Sequence, residues 1–380
     1  MAIDKITTAS ITDANITTAK LAYQAIPFRN IIINGDMSIA QRATSTASIT
    51  SDGYYALDRF LHENGSFGTW TQSQASDAPT GQGFTYSLKM DCTTAQASPS
   101  SSSVLLVGQS IEGQMLQAIK QGTANAQSTT LSFWHKHTKT GTNIVELLDA
   151  DNANAVSGSY TQSVSDTWEK ATITFPANTS GTYGNDNARS LRIRFIMGSG
   201  TNYTSGTLAT TWQTSITDAN RYAGQVNNAD STSNNFIITG VQYEVGTSAS
   251  DFEFLPYDVN RDRCYRYYYK VSSSGFRYVG WGQVDNDNNN IVAYIDFKTD
   301  MRAAPSALET TGTAGNYKVR EALTYTCDNV PTFNNADIWY SAVSFRKSGI
   351  TSSNGFAQGE MLKCGTDGGY LAWSAELWLL

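Results

Sequence analysis

The stretch Asn234–Tyr269, NNFIITGVQYEVGTSASDFEFLPYDVNRDRCYRYYY, reads as the last strand of one β domain, a joint, and the first strand of another. Phe236 and Ile238 fall on one face of an extended chain, and Ile237, Val241, Tyr243 and Val245 fall on the other. Turn formers bracket the run at Asn234–Asn235 and Gly246–Ser250. Apolar residues on both faces predict a strand buried near the middle of a sandwich. Phe252, Phe254 and Leu255 then pack the chain down, and Pro256 stops a strand from continuing. The charged run 258–262 precedes the aromatic run Cys264–Tyr269, read here as strand. A domain joint is expected, with separate cores on either side.

Working backwards, residues 29–257 carry short strand patterns between turn clusters. FTYSLKMDC alternates Phe84, Tyr86, Leu88 and Met90 against Thr85, Ser87, Lys89 and Asp91. TLSFWHKH and WEKATITF follow, then LRIRFIM with Leu191, Ile193 and Phe195 inward and Arg192 and Arg194 outward. Such spacing, with Ser/Gly/Asn loops, predicts an antiparallel jelly-roll β-sandwich. One short helical signal lies at Gly113–Lys120. Working forwards, residues 258–380 predict a second β-sandwich, a tip domain. Ile291, Ala293, Ile295 and Phe297 share one face of a strand. Leu371, Trp373, Ala375, Leu377 and Leu379 alternate towards an apolar end, expected to be tied into a core or subunit interface.

Residues 1–28 differ from both. Ile6, Ile11, Ile16, Leu21 and Ile26 recur every fifth residue, a period that fits neither helix nor strand. One thin apolar stripe on a Thr/Ala/Asn-rich chain cannot offset its ordering entropy alone. It is read either as a loose tail or as an extended anchoring and self-association segment that finds its partner in sister chains or a groove.

Composition narrows the function. Of 380 residues, 40% are hydrophobic, enough for real cores, and only 16% are charged, which favours β-structure with polar loops. A net charge of −7 without a Lys/Arg cluster argues against nucleic acid and anionic membrane surfaces. Cys92, Cys264, Cys327 and Cys364 have no CxxC spacing and are read as reduced and mostly buried. The N-terminus has no apolar signal-peptide core and no run reaches membrane-helix length, so assembly in a cytoplasm is expected. His135 and His137 would share a strand face, yet no Cys or carboxylate stands beside them, and no metal or cofactor is expected. No GxSxG, HExxH, Walker or GxGxxG pattern occurs. A glycoside-cleaving carboxylate pair needs proximity in space, not in sequence, so among 33 acidic residues no catalytic residue is named.

Aromatics are the more informative feature. After the joint lie Tyr265, Tyr267, Tyr268, Tyr269, Tyr278, Trp281, Tyr294, Trp339, Tyr340 and Trp373. Flat rings with a polar handle stack on sugars while Asn and Asp bond to hydroxyls; the competing reading is plain core packing. Tyr278 and Trp281, beside glycines and ahead of a polar loop containing Asp285, Asn286 and Asp287, are the chosen glycan contacts.

Several stretches together resemble bacteriophage tail-fibre proteins. They are the ITTAK-LA pentads, NIIINGDMSIAQR (30–42) with Asp58-Arg59 following, and IEGQMLQAIKQGTANA (111–126) leading into LSFWHKH (131–137). DTWEKATITFPANTSGTY (166–183), FIITGVQYEVGTSASDFEFLPY (236–257) and RCYRYYY (263–269) complete the set, spanning roughly residues 5–270 in order. Near the joint the family phrase has Leu and Cys before the tyrosines, and here only Cys264 is kept. The resemblance implies an elongated all-β homotrimer on a phage tail, joined to tail or adaptor proteins through the N-terminus. It implies a carbohydrate-binding jelly roll in the middle and a variable distal end that contacts a host cell-surface glycan, without membrane insertion. A polysaccharide-cleaving tailspike and a purely structural head or tail fibre are the alternatives.

Overall fold

The structure is a computed structural model that describes residues 28–272, 277–284, 289–320, 323–349, 356–361, 363–364 and 367–377. The pentad residues Ile6, Ile11, Ile16, Leu21 and Ile26, the loop residues Asp285, Asn286 and Asp287, and the terminal Leu379 lie outside the described residues. The chain divides into two compact units after Pro256.

The first unit begins with four strands, β1 (Ser45–Ile49), β2 (Gly53–Tyr54), β3 (Leu61–Asn64) and β4 (Thr69–Ala75). Eight more follow: β5 (Ser87–Thr94), β6 (Val104–Glu112), β7 (Thr129–His137), β8 (Gly141–Asp149), β9 (Asn154–Gln162), β10 (Glu169–Phe175), β11 (Arg189–Ser199) and β12 (Asn235–Val245). They form two six-stranded sheets, ordered β1-β4-β5-β12-β7-β10 and β2-β3-β6-β11-β8-β9. In them β5 neighbours β12, β6 neighbours β11, β7 neighbours β10 and β8 neighbours β9. That nesting is a hairpin rolled up on itself, the jelly-roll arrangement. Inward residues of both sheets, including Trp70, Leu88, Phe133, Val145, Ile193, Phe195 and Phe236, make one core.

Strand β12 lies inside its sheet and is buried along nearly its whole length. The alternation across it is corrected, however: Phe236, Ile238, Val241 and Tyr243 all enter the same core. A register shift between Thr239 and Gln242 in the pairing with β7 absorbs one extra residue. Gly240, with φ +60°, supplies the backbone for it. The helical signal at Gly113–Lys120 resolves into two short 3-10 turns, Gly113–Met115 and Gln117–Ile119. Gly122 follows them too closely to allow a longer helix.

Residues 30–59 act as structural staples. Buried Asn34 donates to the carbonyls of Ile39 (2.9 Å) and Asp58 (3.0 Å) and accepts from the Ile39 amide at 2.9 Å. Asp58 accepts the Gln41 amide at 2.8 Å, and Gln109 exchanges two 2.9 Å hydrogen bonds with the backbone of Ile33. The φ of +62° at Asn34 suits Asn better than most residues. Asn34→Ala strands an amide and two carbonyls away from water, and a loss of about 2 kcal/mol is expected in a denaturant titration.

Outward-pointing Arg192 and Arg194 do not reach solvent, because residues 200–234 strap across the outer face of the second sheet. Tyr222 of this strap joins Leu106, Ile144 and Ile196 in a small second core. Beside it, Glu146 receives Arg194 at 2.8 Å and Arg221 at 2.6 Å, and Glu63 pairs with Arg192. The outer face of the other sheet has no such cover from this strap.

The second unit opens with a helix, Tyr257–Tyr265, which corrects the reading of Cys264–Tyr269 as continuous strand. Asp258 in its first turn and Arg263 in its last suit the helix dipole. Asn260 and Cys264, four apart, bury the same side, and Arg261 lies over the rings of Tyr257 (5.4 Å) and Tyr265 (5.6 Å). Strand β13 (Tyr268–Ser272) follows, then β14 (Arg277–Val284), β15 (Asn290–Asp296), β16 (Glu309–Thr310), β17 (Tyr317–Arg320) and β18 (Thr324–Thr326). After them come β19 (Thr332–Ala336), β20 (Tyr340–Arg346), β21 (Phe356–Met361), the short pair β22 (Lys363–Cys364) and β23 (Asp367–Gly368), and β24 (Tyr370–Ser374). A seven-stranded antiparallel sheet, β18-β17-β21-β14-β15-β20-β19, and a three-stranded one, β13-β24-β16, share one core. Ile291, Ala293, Ile295 and Phe297 fill it with Leu371, Trp373 and Ala375.

Candidate functional site

Five of the ten aromatics after the joint, Tyr265, Tyr267, Tyr268, Tyr269 and Trp373, are buried packing residues. Tyr269 touches Tyr265 (5.1 Å between centroids) and Phe297 (5.4 Å), and the Tyr268 hydroxyl donates to Glu309 at 2.9 Å. The others gather on the solvent side of the seven-stranded sheet or beside it. Trp281 is 70% exposed, Tyr294 57%, Trp339 55% and Tyr278 43%.

Register explains the gathering. Ile291, Ala293 and Ile295 of β15 point into the core, so Tyr294 points out. Trp281 pairs directly with Tyr294 across β14 and β15. On the other side Tyr294 pairs with the small Ala342 of β20, and its ring lies 6.0 Å from that of Tyr340, one diagonal step away. Trp281, Tyr294 and Tyr340 therefore form a row running across three strands.

Tyr278 and Trp281 are three apart and should oppose one another on a regular strand. A shift between Tyr278 and Gly280 in the pairing with β21 removes that conflict: Val279 packs on the core, and both aromatic residues stay exposed. Tyr278 is held by Arg320 of β17, which hydrogen-bonds its hydroxyl and lies 5.7 Å from the ring centre. The row thus ends at a cationic, hydroxyl-bearing corner. Of the chosen contacts, Tyr278 and Trp281 belong to one surface. Tyr294 and Tyr340 join that surface only through strand register, which sets them beside Trp281.

The histidine pair has a different role. His135 and His137 point into the jelly-roll core, 5.3 Å apart between ring centres. His135 Nδ1 bonds Gln162 Oε1 at 2.8 Å, His137 Nε2 bonds the Tyr160 hydroxyl at 2.9 Å, and His137 stacks on Phe236 at 4.0 Å. Burial pushes the pKa of both below the ordinary value, and the neighbouring His135 lowers that of His137 further. Among the described residues no group of three or more His, Cys, Asp and Glu side chains gathers in a metal-binding arrangement. Cys92, Cys264 and Cys327 are buried free thiols. No described helix is long and apolar enough to cross a membrane.

No family model and no curated protein matches the chain. Among solved structures it is similar to the enzymatically active domain of tailspike protein 4 of bacteriophage CBA120. The identity is 17%, over 58% of this chain and 22% of that one, with a TM-score of 0.31. A putative sugar binding protein from Bacteroides thetaiotaomicron is similar at 12% identity, over 57% of this chain and 99% of that one, with a TM-score of 0.32. TmCBM61, solved in complex with beta-1,4-galactotriose, gives 12%, 58% and 99%, with a TM-score of 0.27. Likenesses this loose carry no argument about ligand or activity.

Proposed function

We propose that the chain is a non-enzymatic subunit of a phage tail fibre that adsorbs to a host-cell surface by binding glycan through its second unit. The row Trp281–Tyr294–Tyr340 carries this reading. Soluble chains bury large aromatic rings, and a row with two exposed rings and a half-buried third, flanked by polar groups, is a stacking surface. Neighbouring strands stand about 4.8 Å apart, comparable with the length of one pyranose unit, so an extended polysaccharide laid across the strands would stack successive rings. Arg320 and the tyrosine hydroxyls would bond its edge.

Each such contact is weak. Three copies on one fibre, and several fibres on one virion, would convert weak contacts into firm attachment. Under this reading the pentads Ile6, Ile11, Ile16, Leu21 and Ile26 hold the trimer together or seat it on tail or adaptor proteins. Light scattering of the purified chain is expected to give about three times 41.3 kDa, loosening when residues 1–28 are removed. A labelled full-length chain is expected to decorate a subset of bacterial strains without releasing new reducing ends. Release of reducing ends would instead make it a depolymerase, and a monomer that decorates no strain would overturn the fibre reading.

A further inference from the structure

The jelly-roll unit has a concavity of its own, on the outer side of the sheet that the 200–234 strap leaves open. It is a cleft of about 200 Å³, smaller than the roughly 300–1,000 Å³ of drug-sized pockets and suited to a single ring. One wall is Trp134 of β7 with Lys170 of β10, whose backbones pair directly. The opposite wall includes the rings of Phe84, Phe252 and Phe254, mutually in contact at 4.8–5.0 Å between centroids. Gly240, at the bulge that re-registers β12, also lines the cleft, and its missing Cβ lets the Phe84 ring pack close to the strand. A Cβ at Gly240 would come within 2.6 Å of the Phe84 ring.

Lys89, Lys136 and Lys139 each pair with an aspartate, at Asp91, Asp77 and Asp230. Lys170 has no ion-pair partner among the described residues although Asp251 lines the same cleft. Lys170 and Asp251, both solvent-exposed, thus place a donor and an acceptor at the rim of one small space between aromatic walls. Vicinal hydroxyls of a sugar ring satisfy such a couple, since each hydroxyl both donates and accepts.

We propose that this cleft is a second carbohydrate site, which takes one neutral hexopyranose ring between Trp134 and the phenylalanine wall, its hydroxyls bridging Lys170 and Asp251. It stands apart from the Trp281 row: it lies in the other unit and takes a terminal or branch sugar where the row takes an extended chain. One subunit would then read two features of a surface glycan.

The probes are methyl glucopyranoside, methyl galactopyranoside and methyl mannopyranoside, tested on the full chain by saturation-transfer NMR. At least one is expected to receive saturation from the wild type and equally from Trp281→Ala. Its binding is expected to weaken about tenfold or more in Trp134→Ala and in Lys170→Ala, the loss of about 1.4 kcal/mol. Lys170 is exposed, so its variant folds whether or not Trp134→Ala does. No transfer to any of the three glycosides would overturn the site, and so would transfer lost in Trp281→Ala but kept in Lys170→Ala. Failure of the Trp281 row to bind polysaccharide leaves this result unaffected, so the two readings fail separately.

Discussion

Glu146→Ala is expected to destabilise the jelly-roll unit by about 3–5 kcal/mol, the range seen when one partner of a buried ion pair is removed. The side chain of Glu146 is fully buried, with Arg194 and Arg221 only 9% and 14% exposed. Burial alone would push its carboxyl pKa up, but the Arg194 and Arg221 guanidiniums outweigh burial and hold it below the usual range. The carboxylate is also the acceptor for the Tyr222 hydroxyl at 3.1 Å. Removing it leaves two guanidiniums facing each other beneath the strap, with Arg192 nearby. For a unit of this size the melting temperature should fall by roughly 10 °C. Proteolysis should then cut first within residues 200–234, where Arg221 and Tyr222 lose their shared acceptor. A loss below about 1 kcal/mol would mean that the strap opens at little cost and lets the arginines reach water.

The second large effect is acid lability set by histidines. His62 lies wholly buried, and burial lowers its pKa from the ordinary 6.5 to about 4; His135 and His137 are lowered for the same first reason. A histidine whose folded pKa is depressed is neutral in the fold and takes up protons on unfolding. Its stabilising contribution is complete above the unfolded value near 6.5 and is lost progressively as pH falls towards the folded value. For His62 alone this amounts to about 2 kcal/mol at pH 5 and about 3 kcal/mol near pH 4. His137 has a local reason to resist charging: its Nδ1 accepts the Ile237 amide at 3.3 Å, so a proton there removes that bond. Melting temperature measured from pH 7.5 to 4.5 should be flat at the upper end and fall steeply below pH 6.5. His137→Leu should lose its own share of that slope. A flat profile down to pH 5 would contradict the buried, neutral assignment.

Much of the fold was legible because its signals are local. Turn clusters and period-two alternation mark β5, β7, β11, β12, β15 and β24 independently of strand pairing. What was lost depends on single extra residues: the bulge at Gly240 brings Val241 and Tyr243 to the side of Phe236, and the shift beside Gly280 leaves Tyr278 and Trp281 both exposed. A period count cannot see either, because a bulge is compatible with the same composition as a regular strand. The helix Tyr257–Tyr265 was hidden by aromatic β-propensity at its C-terminal end, although Asp258 and Arg263 were a readable dipole signal.

The site was legible in part. Trp281 could be picked from its glycines and the adjacent polar loop, whereas Tyr294 and Tyr340 needed strand register. The jelly-roll cleft was not legible at all. Phe252 and Phe254 look like packing residues in sequence, and nothing in TLSFWHKH says that Trp134 faces outward opposite them. Asn34, Gln41 and Asp58, within the stretches that resemble tail fibres, prove to be staples that shape the unit and do not line its cleft.

The most direct test of the adsorption reading is an array of bacterial surface polysaccharides probed with the wild-type chain and with Trp281→Ala. Trp281 is exposed on a sheet face, so the variant should melt at the wild-type temperature. The wild type is expected to hold one or a few related polysaccharides, with the variant weakened about tenfold or more on each, as befits the loss of one stacking ring. Equal binding by the two proteins, or no polysaccharide held by either, would contradict the assignment of the Trp281–Tyr294–Tyr340 row as the receptor surface.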